Sequence, residues 1–151
     1  MKNSRHITAF YLEMLLLMLV VIGIVLVLTN VFALSRAESA EARSLTDAVC
    51  LAQNAAEAVS ASKSPEELCA LLDENGNVSL VEGADKPTVL ALYDGDMRPD
   101  ASGSVVVRIV WDESAAASGS LARCGVTVTD TESSREIYSL ETAVFIKEGE
   151  R

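Results

Sequence analysis

The most distinctive feature of the sequence is a long apolar run near its beginning. Between Met14 and Leu34 there are 21 residues without a charge, and 15 of them are Leu, Ile, Val or Phe. As a helix that rises about 1.5 Å per residue, the run is about 31 Å long, which matches the hydrocarbon core of a bilayer. Transfer of its large side chains into lipid is favourable by roughly 5 to 9 kcal/mol. The pattern predicts a transmembrane helix over residues 9–34, after a short basic leader at residues 1–8.

The charges on the two sides of this run indicate its orientation. Lys2 and Arg5 precede it, and Arg36 and Arg43 follow it within a short distance. The two counts are equal, but the leader also carries the free α-amino group at the start of the chain. We therefore expect a cytoplasmic N-terminus and an extracytoplasmic C-terminal body.

A cleaved secretory signal, cut after Ala33, is the alternative interpretation of the same run. The apolar part of a signal peptide usually measures about 7–15 residues and is uncharged. Here the run is longer, and Glu13 lies at its start. Both features favour a retained anchor.

The helix is expected to continue beyond the membrane as an amphipathic segment over residues 35–62, which contains neither Gly nor Pro. Apolar side chains recur there at three- and four-residue spacing, which predicts one face packed on a sheet or on another helix. A self-associating coiled coil is the weaker alternative, because the seam has few large side chains. The predicted stripe is Leu45, Ala48, Val49, Ala52, Ala55, Ala56 and Val59.

Residues 63–151, the head domain, read as a short helix followed by strands. Ser64 as N-cap, Pro65 at the first helical position and Glu67 three residues after the cap predict the helix. Alternating apolar and polar positions then predict strands joined by short polar links, for which an antiparallel meander is the simplest topology. We expect an α+β fold in which the long helix packs on this sheet. The predicted strands are 78–81, 88–93, 104–111, 120–129 and 136–146.

Composition limits the chemistry that the chain can perform. The net charge is -10, and the basic residues are dispersed, so nucleic-acid binding is not expected. The single histidine, His6, lies in the leader, which excludes His-based catalysis and His-rich metal sites from the head domain. Phosphate-binding glycine loops and nucleophile motifs are absent from the sequence. We expect neither an enzyme nor a cofactor or metal site.

An acidic segment and the three cysteines each allow two interpretations. The run from Asp73 to Asn77 has the oxygen-rich character of a calcium loop, but its glycine is misplaced for one, so a turn is favoured. The three cysteines permit at most one internal disulfide. A helical hairpin would bring Cys50 and Cys69 together, whereas free thiols are the alternative, and Cys124 is expected in the core.

The segment around Glu13 resembles the N-terminus of type IV pilins and pseudopilins. The run Ala9-Phe10-Tyr11-Leu12-Glu13, followed by an apolar helix, matches that family's mature N-terminus, in which the fifth residue is Glu. The resemblance implies cleavage of the leader on the cytoplasmic face by a prepilin peptidase. A cut before Ala9 makes Glu13 the fifth residue but leaves Thr8 where the family has Gly. A cut after Ala9 makes Phe10 the first residue and Glu13 the fourth.

The resemblance also implies a function. The protein would be a structural subunit that lies in a bacterial membrane. With its assembly machinery, it would assemble with copies of itself or with related subunits into a pilus, a competence filament or a type II secretion filament. Glu13 would guide that assembly, the new N-terminus would often be methylated, and the fold would be a long helix on an antiparallel sheet. An ionisable group in an apolar helix needs a partner or access to a polar region. In the alternative interpretation, the Glu13 side chain has no role in assembly and extends back to the lipid headgroups. The alternative function is a monomeric single-pass envelope protein with an extracytoplasmic binding domain.

Overall fold

The computed structural model describes residues 3–81, 86–116 and 118–148, with side chains from residue 10 onward. The chain forms two compact units, an N-terminal unit at Met1–Ala42 and a C-terminal unit at Arg43–Arg151. The elements in chain order are α1 (Asn3–Ala61), α2 (Pro65–Leu72), β1 (Val78–Val81), β2 (Thr88–Tyr93), β3 (Val105–Ala116), β4 (Gly119–Asp130) and β5 (Arg135–Lys147).

The five strands form one antiparallel sheet in the order β1-β2-β3-β4-β5, so every strand pairs with its neighbour in sequence. This confirms the predicted α+β class and the meander. β1 and β2 have the bounds that the alternation predicts. β3 continues to Ala116, five residues beyond the predicted end at Trp111. Its last four residues are exposed, so this end of the hairpin carries no alternation of buried and exposed positions that could have revealed it.

The core lies between the C-terminal part of α1 and one face of the sheet. Every second residue is buried over residues 105–111 of β3 and residues 122–128 of β4, so one alternating face of each strand lies in the core. On the helix, the buried residues are spaced by three and four, as expected for one helix face. The buried apolar residues of α1 are Ala48, Leu51, Ala52, Ala55 and Val59.

The prediction of the helix stripe was wrong at its first residue. Leu45 is 46% exposed, because burial of α1 against the sheet begins only at Ala48. Leu51, which was not included, is buried, since it lies beside Ala48 and Ala55 on the covered face. Val49 and Ala56 are half-buried at the margins of the stripe.

The turn after α2 ties that helix to the sheet. The Asp73 carboxylate accepts a hydrogen bond from the Gly76 backbone N–H at 2.7 Å, and Gly76 adopts a φ of 72°, which favours glycine. Asn77 is fully buried, and its side-chain amide donates to the Leu92 carbonyl oxygen of β2 at 3.1 Å. The Asn77 side-chain oxygen accepts a hydrogen bond from the Glu74 backbone N–H at 3.3 Å. The oxygens of Asp73 and Asn77 therefore both accept from backbone N–H groups, which confirms the predicted turn.

Candidate functional site

The N-terminal unit presents an apolar helical surface. Every side chain from Phe10 to Leu34 is exposed, including the large aliphatic and aromatic ones. One helix in the described part of the chain, Phe10–Ala61, is long and apolar enough to cross a membrane, and its most apolar window has a mean hydropathy of 2.9 with none of that window buried. A soluble protein rarely exposes so large an apolar area. The helix is therefore a candidate for a single membrane span.

Glu13 is the acidic residue of this surface. It is exposed, and at helical spacing its neighbours are Phe10 on one side and Leu16 and Leu17 on the other, all apolar. No side chain in the described part of the chain forms an ion pair or hydrogen bond with its carboxylate. A carboxylate in these surroundings, once in lipid, is stabilised by a cation from another molecule or by reaching water.

The candidate processing residues lie in the same helix. Thr8, Ala9 and Phe10 all fall within α1, where the Phe10 and Tyr11 rings make an edge-to-face contact with centroids 6.4 Å apart. The side chains of Thr8 and Ala9 lie outside the described residues. The structure therefore places these residues within two helical turns of Glu13 along one helix.

The polar group of Thr29 is satisfied within the span. Its hydroxyl donates to the Val25 carbonyl oxygen, one turn earlier, at 2.8 Å. Threonine hydroxyls commonly make this bond in helices, and it removes the cost of placing an unpaired donor in lipid. Thr29 is thus compatible with a membrane interior.

The structure does not contain the disulfide between Cys50 and Cys69, since all three thiols are free. Cys50 is exposed on α1, although its sequence neighbours Ala48 and Ala52 are buried on the opposite side of the helix. Cys69 on α2 is half-buried and packs against the core. The two side chains therefore face different surroundings. Cys124 is buried in the core as expected, and burial raises the pKa of its thiol to about 11, with a smaller contribution from Asp112.

The C-terminal unit carries a cavity of about 530 Å³ between α1, α2 and the loop after β2. Its wall is apolar at Leu51, Leu72 and Met97, and its polar groups include Glu57 and Glu74. Tyr93 also lines it, and burial, aided by the charge of Glu74, raises the pKa of the Tyr93 hydroxyl. No group of three His, Cys, Asp or Glu residues suited to a metal occurs among the described residues.

No family model, curated protein or solved structure matches the chain significantly. The feature of the chain that bears most directly on its function is the exposed apolar helix, with Glu13 near the beginning.

Proposed function

We propose that this protein is a pilin-like or pseudopilin-like structural subunit, anchored in a bacterial membrane by its N-terminal helix and assembled there into a filament. The observation that carries the proposal is the carboxylate of Glu13, which has no partner among the described side chains, on a helix whose surface is apolar from Phe10 through Leu34 apart from Glu13, Thr29 and Asn30. The helix supplies both the anchor and the contact surface for neighbouring subunits. The head domain then lies outside the membrane.

Glu13 favours assembly of the subunits and sets their alignment. An unpaired carboxylate in lipid is unfavourable, and a cation that reaches it from a neighbouring subunit lowers its free energy. If the leader is removed before Ala9 or before Phe10, the new α-amino group is such a cation. A subunit is then more stable beside a neighbour than alone, and the charge pair sets the stagger between them.

The fold of the C-terminal unit supports the proposal. The small-residue stripe of α1 packs on an antiparallel meander. This is the arrangement that the resemblance to pilins implies. This support comes from the fold alone, because proteins of many different functions contain a helix packed on a sheet.

The test of the proposal is Glu13→Ala in the full-length chain, with filament recovery as the measurement. Loss of the carboxylate should leave the chain in the membrane fraction but reduce its incorporation into filaments at least tenfold, because the intersubunit charge pair is gone. Glu13→Gln, which keeps the shape without the charge, should fail similarly. Glu38→Ala removes an exposed carboxylate beyond the apolar run and is the matched control. Unchanged assembly of Glu13→Ala contradicts the proposal.

The mass of the purified mature chain tests the processing step separately. A chain that begins at Ala9 or at Phe10, with or without an added methyl group, supports cleavage by a prepilin peptidase. An intact Met1 indicates an uncleaved anchor, and a chain that begins at Leu34 indicates an ordinary signal peptide.

A second function, a monomeric envelope protein that binds a ligand, is favoured by the cavity beside Tyr93. The cavity combines an apolar wall with the carboxylates Glu57 and Glu74, which suits a cationic ligand that also has an apolar part. In that case Glu13→Ala leaves both membrane insertion and the solitary state of the protein unchanged.

A further inference from the structure

The apolar run contains one side-chain amide, that of Asn30. It is exposed on α1, and in the described part of the chain it forms no side-chain hydrogen bond, unlike the adjacent Thr29 hydroxyl. An amide group has two N–H donors and an oxygen with two acceptor sites. In the hydrocarbon of a membrane, unpaired groups of this kind are costly. Asn30 therefore needs a partner that its own helix does not supply.

Gly23 is a second residue of the apolar run that lacks a bulky apolar side chain. It lies seven residues before Asn30, which places both on the same face of the helix. Ala37 lies seven residues after Asn30 and continues the face. A Cβ atom built on Gly23 would meet nothing within 4 Å, so this face is open to a second backbone. Glycine lets two helices approach closely in a membrane.

The resulting strip, which we call the Asn30 seam, has the spacing of a heptad repeat. Its members recur at alternating intervals of three and four residues, and the sole large side chain among them is that of Leu26. Helices meet along such a strip, and a single polar residue in it fixes their register. The seam consists of Gly23, Leu26, Asn30, Ala33 and Ala37.

We propose that the Asn30 seam binds the same seam of a second copy, in a parallel pair within the membrane. An amide is its own complement, because it donates and accepts at once. Copies that insert with the same orientation place Asn30 at the same depth, so in a symmetric pair the two amides lie opposite each other. Lipid tails offer neither donors nor acceptors, which leaves a second copy as the occupant.

The seam is distinct from the surface around Glu13. Asn30 lies 17 positions after Glu13, which places the two side chains about 100° apart around the helix. The pair therefore leaves the carboxylate free for a third molecule. The inference rests on the membrane anchoring in the proposed function but not on Glu13 or on filaments.

The test measures pairing of the full-length chain in lipid vesicles by energy transfer between dyes on the exposed Cys50, in a Cys69→Ser background. Asn30→Leu should weaken association about threefold to thirtyfold, the range for a polar contact between membrane helices. Asn30→Gln should retain most of it. Thr29→Val, in which the lost hydroxyl was satisfied within its own helix, should have no effect. Equal association of Asn30→Leu and the parent chain overturns the proposal, as does equal loss in Thr29→Val.

Cysteine cross-linking tests the face itself. In a Cys50→Ser/Cys69→Ser background, Ala33→Cys on the seam should form a disulfide between copies under mild oxidation. Leu28→Cys, two residues from Asn30 and so on the opposite side of the helix, should not. Equal cross-linking at both positions contradicts a specific seam. Glu13→Ala should pair as the parent does even where it abolishes filaments, so that the two proposals fail separately.

Discussion

At the scale of single residues, Trp111 is the largest fully buried side chain of the core. It is the only tryptophan of the sequence and lies on β3 opposite Cys124 of β4. Its ring nitrogen Nε1 is buried and has no hydrogen-bond partner among the described residues. The ring therefore stabilises the core through its area, while its N–H group adds a desolvation cost.

Replacement of Trp111 should separate these two contributions. Trp111→Phe removes the unpaired donor together with part of the ring, so the free energy of unfolding should fall by less than about 1.5 kcal/mol. Trp111→Ala leaves a cavity and should cost about 3–5 kcal/mol. Urea titration of the detergent-solubilised chain, followed by protease resistance of the head domain, measures both values. A similar cost for both variants means that the ring nitrogen is paired in solution.

Gly103 is required because two backbone segments approach closely at this position. A Cβ atom at this position would collide with the backbone carbonyl of Tyr93, and backbone cannot yield as a flexible side chain can. The close approach brings the loop after β2 against that strand, where Tyr93 also pairs with Pro99. The sequence signals a turn here but not the contact.

At the scale of elements, α2 is defined at its beginning by a reciprocal cap. The Ser64 hydroxyl accepts a hydrogen bond from the Glu67 backbone N–H at 3.2 Å, and the Glu67 carboxylate accepts one from the Lys63 backbone N–H at 2.8 Å. The latter donor lies one residue before the N-cap, a small variation on the predicted capping box. The Ser64 side chain also lowers the pKa of Glu66, and the backbone N–H of Glu66 adds to the effect.

Removal of this cap should destabilise the C-terminal unit measurably. Ser64→Ala should lower the free energy of unfolding by about 1 kcal/mol, because N–H groups of the first turn lose their acceptor. Ser60→Ala is the matched control, since the Ser60 hydroxyl is exposed and bonds only to the Ala56 carbonyl oxygen within α1. That variant should be neutral or slightly stabilising. Equal effects in the same urea titration would show that the cap contributes nothing.

At the scale of the whole molecule, the acidic charge is concentrated outside the apolar run. Residues 1–42 contain three basic residues (Lys2, Arg5, Arg36) and three acidic ones (Glu13, Glu38, Glu41), so the C-terminal unit carries the whole net charge of -10. Besides Glu66, two carboxylates of this unit have hydrogen-bond partners that favour their charged form. Backbone and side-chain hydrogen bonds from Ser102 lower the pKa of Asp100, and bonds from the Ser133 hydroxyl and the Glu132 backbone N–H lower that of Asp130.

These lowered pKa values make stability depend on acid pH in a defined direction. Because both folded-state values lie below the unfolded value of about 3.9, the stabilisation is complete above about pH 5 and is lost as the pH falls through the folded-state pKa. Asp100→Asn/Asp130→Asn should be less stable than the parent at neutral pH, and the two curves should converge in acid. Urea midpoints measured from about pH 3 to pH 7 test this. Parallel curves contradict it.

The sequence by itself determined the elements whose signals are local. A continuous apolar run specifies the apolar part of α1, alternation specifies each strand, and Ser64 with Pro65 specifies the beginning of α2, because each signal depends on neighbours within a few residues. The resemblance around Glu13 is of the same local kind, and the function that it implies stays a prediction.

Only the tertiary structure decided which side chains are covered. It buried Leu51 and exposed Leu45, left Cys50 and Cys69 as free thiols, and enclosed Trp111 without a partner for its N–H among the described residues. Burial of a helix residue depends on whether the sheet extends far enough to cover it. The extent of the sheet follows from packing over all of its strands rather than from local residue spacing.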